Sequence, residues 1–214
     1  MVHPSTRRGA RLAALSSPND RSSCTLCSIF VPATAGAQTL RDQVIKNGVS
    51  EEIIIGEYPA VSLRDLAASA EAVVHVSIRN TDTFLSGDGM AILTDYRATV
   101  IDVIRANDES RLGAGDVLTV RRLGGTLHVE GRKVVSNESG FPQFSNGREY
   151  ILFLRAGAGH PYELTAGPRS AFRVDEGSVI PIATSSERIP VLLPLFVHEV
   201  KGVQTADLSR PQQR

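Results

Sequence analysis

The sequence predicts a mainly β fold: a small closed or partly open β-barrel with a short helix before it and a C-terminal helix. The stretch Gly147-Arg148-Glu149-Tyr150-Ile151-Leu152-Phe153-Leu154 carries most of that expectation. Its run from Tyr150 is apolar on both faces, follows an Asn146-Gly147 turn signal and stops before Gly157 and Gly159. A strand with no polar face must be covered on both sides, by a closed barrel or by two packed layers. A second observation is the broken period of Leu93 to Ile104, where Val100-Ile101 and Val103-Ile104 interrupt an alternating pattern. A bulge near Ile101 or Asp102 accounts for the break and bends the strand as a small barrel requires. Third, Gly and Pro punctuate short strand-like runs from Asp116 to Ile182.

Composition bounds the rest. A chain of 214 residues that is 42% hydrophobic has material for one ordinary domain plus extensions. Formal charge is zero, without the basic excess that phosphate neutralisation demands. With 5% aromatic residues and no Trp, few side chains are left to stack on bases. Nucleic acid is therefore not an expected partner.

Four segments are expected: a signal peptide over 1–37, a linker or edge segment over 38–60, the barrel over 61–183, and a helix with a tail over 184–214. Arg7, Arg8, Arg11 and Arg21 form a basic leader, Cys24 to Ala33 is mostly apolar, and Ala35-Gly36-Ala37 has the small-x-small form that signal peptidase reads. Export to the periplasm or the extracellular space is the expectation. The alternative is an N-terminal tail on a cytosolic protein. Both cysteines, Cys24 and Cys27, lie in the leader as a C-x-x-C pair. That pair lacks the second pair or nearby His of a zinc site, and the strand-then-helix setting of a redox motif. Cleavage would leave a mildly acidic chain with no cysteine. No other stretch is long enough to span a bilayer.

Taken in order, Ile53-Ile54-Ile55 is an edge strand or part of a linker. Ser62 is an N-cap with Asp65 three residues on, Leu63, Leu66, Ala67 and Ala70 share a face, and Val61 with Leu66 has the spacing of a hydrophobic staple. Ala72 to Ile78 is a β-branched strand, and Arg79 to Met90 a polar loop. The strand Asp116 to Arg122 and the run Thr126 to Val135 are expected to form a hairpin about Gly124-Gly125, a pair suited to positive φ. Arg121 and Arg122 are read as a small basic spot on a solvated face. Phe141 and Phe144 are expected to fold against the barrel end. Short strands follow over Tyr162 to Thr165, Ser170 to Val174 and Ser178 to Ile182. A helix is predicted from about Pro194, with Phe196, Val200 and Val203 on one face and Gly202 helping to end it. It either covers the open end of the barrel or docks a partner.

The pattern Tyr96-x-x-x-Val100 leading to Val103-Ile104, Gly115-Asp116-x-Leu118-x-Val120-x-x-x-Gly124-Gly125, Gly147-x-x-Tyr150-Ile151-Leu152-Phe153-Leu154, Tyr162-x-Leu164 and Phe172-x-Val174 resembles a group of uncharacterised exported bacterial proteins. The resemblance covers roughly Leu66 to Val179. It implies an OB-like β-barrel, distantly similar to the netrin-like domain of tissue inhibitors of metalloproteases. Those inhibitors hold the protease metal through an N-terminal cysteine, which this chain would lack after cleavage. The shared motifs are turns and strands, so they speak to fold rather than activity.

Chemistry-bearing motifs are sparse. There is no G-x-S-x-G, H-E-x-x-H, P-loop or strand–G-x-G-x-x-G–helix. The histidines His3, His75, His128, His160 and His198 are scattered, so no catalytic, cofactor or metal residue is assigned and no cofactor is expected. The arrangement that would overturn this is His75 and His128 facing one barrel interior. Asp82 and Asp88 lack the spacing of a calcium loop, and Asn137-Glu138-Ser139 is a glycosylation sequon in form only. The leading expectation is a non-enzymatic exported module that binds a protein or small ligand, with a hydrolase assembled from loop residues as the alternative. A pocket rich in shifted ionisable groups would favour the hydrolase. An apolar surface groove beside the C-terminal helix would favour the module.

Overall fold

A computed structural model describes residues 39–48, 51–56, 58–107, 110–156, 161–183 and 189–207. The expected signal peptide with Cys24 and Cys27, together with His3, His160 and the extreme C-terminus, lies outside the described residues. The order of elements is α1 (Leu40–Asn47), β1 (Glu51–Ile54), α2 (Leu63–Ser69), β2 (Ala72–Leu85), β3 (Ile92–Ala106), β4 (Val117–Leu123), β5 (Gly125–Val129), β6 (Arg132–Glu138), β7 (Glu149–Ala156), β8 (Tyr162–Leu164), a 3₁₀ turn (Gly167–Ser170), β9 (Ala171–Asp175), β10 (Ser178–Pro181), β11 (Val191–Leu192) and α3 (Leu193–Asp207). The fold is mainly β. No described helix is long and apolar enough to cross a membrane.

A large sheet runs β11-β10-β9-β7-β2-β3-β4-β8, and β8 pairs with β7 as well, so β7, β2, β3, β4 and β8 form a ring of five strands. The ring is thinnest at β4 and β8, which share one parallel pair, Val120 with Tyr162. Residues 150–154 of β7 are all buried, as an apolar run on both faces demands. Tyr150, Leu152 and Leu154 point inside the ring with Val74, Val76, Ile78, Tyr96 and Phe144, while Ile151 and Phe153 point outside with Val73, Phe172, Phe196 and Val200.

The ring closes because its long strands bend. Against β2, His75 stands opposite Asp102 and Val76 opposite Val100, which leaves Ile101 as the extra residue at the expected bulge. Two more irregularities leave Ile104 and Arg79 unpaired. The predicted polar loop at Arg79 to Met90 is mostly strand: β2 and β3 continue as a hairpin that turns only at Ser86 to Ala91. Both faces of Asn80 to Asp82 are exposed there, so the stretch carries no alternation for the sequence to display.

The expected hairpin about Gly124-Gly125 does not form. Instead the chain leaves the large sheet at Gly124, and β5 pairs with β6 around a turn at Glu130-Gly131. This hairpin and β1, which lies parallel to β6, make a second sheet ordered β1-β6-β5. Gly124 has φ of 88°, and a Cβ there would sit 2.6 Å from the Ser136 carbonyl oxygen. The two glycines thus serve a crossing between sheets rather than a tight turn.

Helices cover what the strands leave open. Ser62 caps α2 as predicted, its hydroxyl accepting from the Asp65 N–H at 3.0 Å. Arg105 holds the other end of α2 by donating to the carbonyls of Ala67 and Ala70. The sequence reading did not identify α1, although Thr39 and Asp42 form a full capping box. Leu40 and Val44 of α1 bury against Ile92, Val129 and Val134, which joins the small sheet to the tip of the β2–β3 hairpin. Helix α3 begins near Pro194 as expected but runs past Gly202 to Asp207. Its Phe196 and Val200 pack on the outer face of β7 and β9 beside α2, not over an open end of the ring.

Candidate functional site

Three places combine chemistry with unusual position. The first is Arg122, expected on a solvated face. Alternation along β4 exposes Leu123 and sends Arg122 inward, where it is 6% exposed. Its guanidinium carbon lies 3.3 Å from the ring centre of Phe141, 4.6 Å from Phe144 and 5.9 Å from Tyr96. It donates to the carbonyl oxygens of Pro142 at 3.0 Å and Phe141 at 3.2 Å. The Glu138 carboxylate is 3.8 Å away. Burial pushes the guanidinium down to about 10.

Glu138 also accepts from the Tyr58 hydroxyl. Burial first, and then the hydrogen bond and charge of Glu138, hold that phenol well above its ordinary range. The Tyr58 carbonyl in turn accepts from Arg169 Nε at 2.8 Å. The segment between β1 and α2 is thereby keyed to β6, β4 and the 3₁₀ turn. Within this network the buried Arg122 Nε has no hydrogen-bond partner. The arrangement ties sheets together. A buried Arg was missed because adjacent arginines read as a surface pair. The aromatic residues Phe141 and Phe144, nineteen and twenty-two positions on, were the signal available.

The second place is His75. It is 9% exposed and sits 2.9 Å from the Glu149 carboxylate through Nε2. In β2 it alternates with Val74 and Val76, so it stands on the outer face with Val73. His128 is exposed in the small sheet opposite Lys133, and His198 is exposed on α3. The described histidines are therefore not brought together, and His75 and His128 do not share an interior. Among the described residues no three of His, Cys, Asp and Glu come together in a set that would hold a metal ion. Asp88 accepts from Ser86 and the Met90 N–H and serves the hairpin turn.

The third place is the start of α3. Ile189, Leu192 and Leu195 are 80%, 59% and 60% exposed, although Phe196 and Val200 one turn on are buried. A small cavity, lined by Val61, Pro168, Arg169, Ala171, Phe172, Pro181 and Ala183, holds about 10 Å³, the room of one water. Arg169 is the one ionisable group in its lining.

Compared with family models and with curated proteins, the chain matches no family model and no curated protein.

Proposed function

We propose that this chain is an exported, non-enzymatic interaction module that binds a partner protein through the exposed apolar start of α3. The observation that carries this reading is the run Ile189, Leu192 and Leu195, three large apolar side chains turned to solvent within one short stretch. Isolated exposed apolar residues are ordinary, whereas several together mark contact surfaces. Pro190 and Pro194 flank β11, and proline beside an edge strand discourages strand addition there. Docking at this surface therefore works through side chains. The hydrolase alternative would draw on His75 and Glu149, but that pair lies on a strand surface, apart from the cavity lining.

Export rests on the leader's pattern and on the resemblance to exported OB-like proteins. The ring of five strands supports the OB-like reading, and the netrin-like comparison remains one of architecture. Two measurements test the whole. Intact mass of the protein from its native source should show cleavage after Ala37, and retention of residues 1–37 in a soluble cytosolic chain would sink the export claim. A photo-crosslinker at position 195 should give one discrete protein adduct that Leu192→Glu abolishes without changing the melting temperature. Diffuse labelling, or an adduct indifferent to Leu192→Glu, would refute docking at this surface.

A further inference from the structure

We infer that the outer edge of β1 is a self-association site, at which two copies of the chain pair their β1 strands antiparallel across a two-fold axis. Among the described residues β1 is the outermost strand of the small sheet and has a partner, β6, on one side. Ile54 turns its carbonyl toward β6, accepting from the Ser139 N–H at 2.8 Å. Strand alternation then points the N–H and C=O groups of Glu51, Ile53 and Ile55 to the open edge. Such a row is a template for another strand, and native edges are usually blunted by Lys, Pro or a bulge. β1 has no Lys, Pro or bulge within Glu51–Ile54, and its protection is limited to its shortness and to Glu51 and Glu52.

The side chains say what the added strand is. Ile53 is 63% exposed and Ile55 83% exposed, the latter the most exposed large apolar side chain among the described residues. In an antiparallel pair centred on Ile53, Ile53 faces its own copy and Glu51 faces Ile55 of the second chain. Residues that turn their backbone groups to one another then exchange hydrogen bonds at each of these positions. This register buries the isoleucines and puts the two Glu51 carboxylates at opposite ends of the pair. A parallel pair, or a register centred on Glu51, sets like charges face to face, which is unfavourable. The edge is thus complementary to itself in one arrangement, and the two small sheets join into one of six strands. This surface is separate from the start of α3, so neither proposal rests on the other.

The test uses the full chain under reducing conditions, so that Cys24 and Cys27 form no intermolecular disulfide. Light scattering over a concentration series should show a mass approaching twice that of the chain. Ile53→Lys and Ile53→Glu should each return it to the monomer, because like charges then meet at the axis. An equimolar mixture of the two variants should restore the doubled mass, since Lys then faces Glu. Native-like circular dichroism spectra and cooperative melts will show that the variants fold, with any loss in melting temperature limited to what dissociation of the pair removes. A monomeric wild-type chain overturns the inference, as does a dimer that survives Ile53→Lys or variants that stay monomeric when mixed.

Discussion

On the inner face of β7, Tyr150, Leu152 and Leu154 meet side chains of the same ring, the Phe141–Phe144 loop and one buried cation. On the outer face, Ile151 and Phe153 meet Phe172, Phe196 and Leu66, with helices contributed by distant parts of the chain. Five consecutive residues are buried alike, but what buries them differs in kind. The inner side is held by edge-on aromatic contacts, such as Tyr96 to Phe144 at 4.9 Å, and by the hydrogen bonds of Arg122. The outer side is held mostly by packing, with Phe153, Phe172 and Phe196 at centroid separations of 5.0 to 6.3 Å, its polar ties being Arg105 to the end of α2 and His75 to Glu149. A run that is apolar on both faces thus specifies that two covers exist and leaves their chemistry to residues elsewhere.

The largest expected effect is on the outer side. Phe153→Ala empties a fully buried aromatic position and should cost roughly 3–5 kcal/mol in a urea melt. A loss below about 1 kcal/mol, the scale of surface substitutions, would mean that the helices do not seal this face. On the inner side, Arg122→Met keeps much of the volume but removes two charge-assisted hydrogen bonds, for a loss of about 3 kcal/mol at the low end of the range for each. Pairing it with Glu138→Gln should recover part of that loss, because the single change leaves a buried carboxylate without its cation. Equal costs in the single and double variants would make the polar half of the comparison wrong.

Tyr58→Phe should cost about 1.5 kcal/mol near neutrality, since it removes one hydrogen bond to a carboxylate. It also carries a pH signature. The unfolded phenol ionises near its ordinary 10.0, while the folded one is raised. Between those values the unfolded chain has released a proton that the fold retains, so stability present below pH 10.0 is lost as pH rises. Arg122 works in the opposite sense. The folded guanidinium is held at about 10, below its ordinary range, so the fold releases its proton first and gains stability as pH rises above that value. The difference in stability between wild type and Tyr58→Phe should therefore shrink above pH 10.0, and a difference that stays flat would show the phenol raised neither by burial nor by Glu138. The smallest effect lies beyond both faces of β7. Thr39→Ala unmakes the capping box of α1 and should cost about 1 kcal/mol, and no change would mean that α1 is held by packing alone.

These contrasts also explain what could be read in advance. The strand at Tyr150, the Ser62 cap and the bulge at Ile101 were legible because each rests on local physics: a turn, a hydrogen bond three residues away, a broken period. The helix at Leu40 was equally local, with Thr39 and Asp42 in place. It went unread because Leu40 and Val44 are its buried residues while Ile45, next in sequence, is 54% exposed, which blurs the apolar stripe. Burial of Arg122 was not local at all. It depends on the chain returning at Phe141 to build an aromatic wall, and on Tyr58 and Glu138 arriving from different elements. Likewise Gly124-Gly125 suits a hairpin and a crossing equally well, and the choice is made by Ser136 and Thr94 pressing against it. The exposure of Ile189, Leu192 and Leu195 follows from which face of α3 the outer cluster occupies, a tertiary outcome.

The parallel pairing of β1 with β6 has a consequence for the order of assembly. Glu51 finds its partner at Val135, so the loop that must close contains all of β2, β3 and β4. Hairpins such as β5 with β6 close early and cheaply, whereas contacts this distant in sequence form late and bear a larger entropic cost. During synthesis from the N-terminus, β1 emerges long before the strand that receives it, and the ring can be under construction while β1 waits. A strand among the first to be made is then placed only after β2 to β6 have emerged, and the Tyr58 latch behind it waits as long for Glu138.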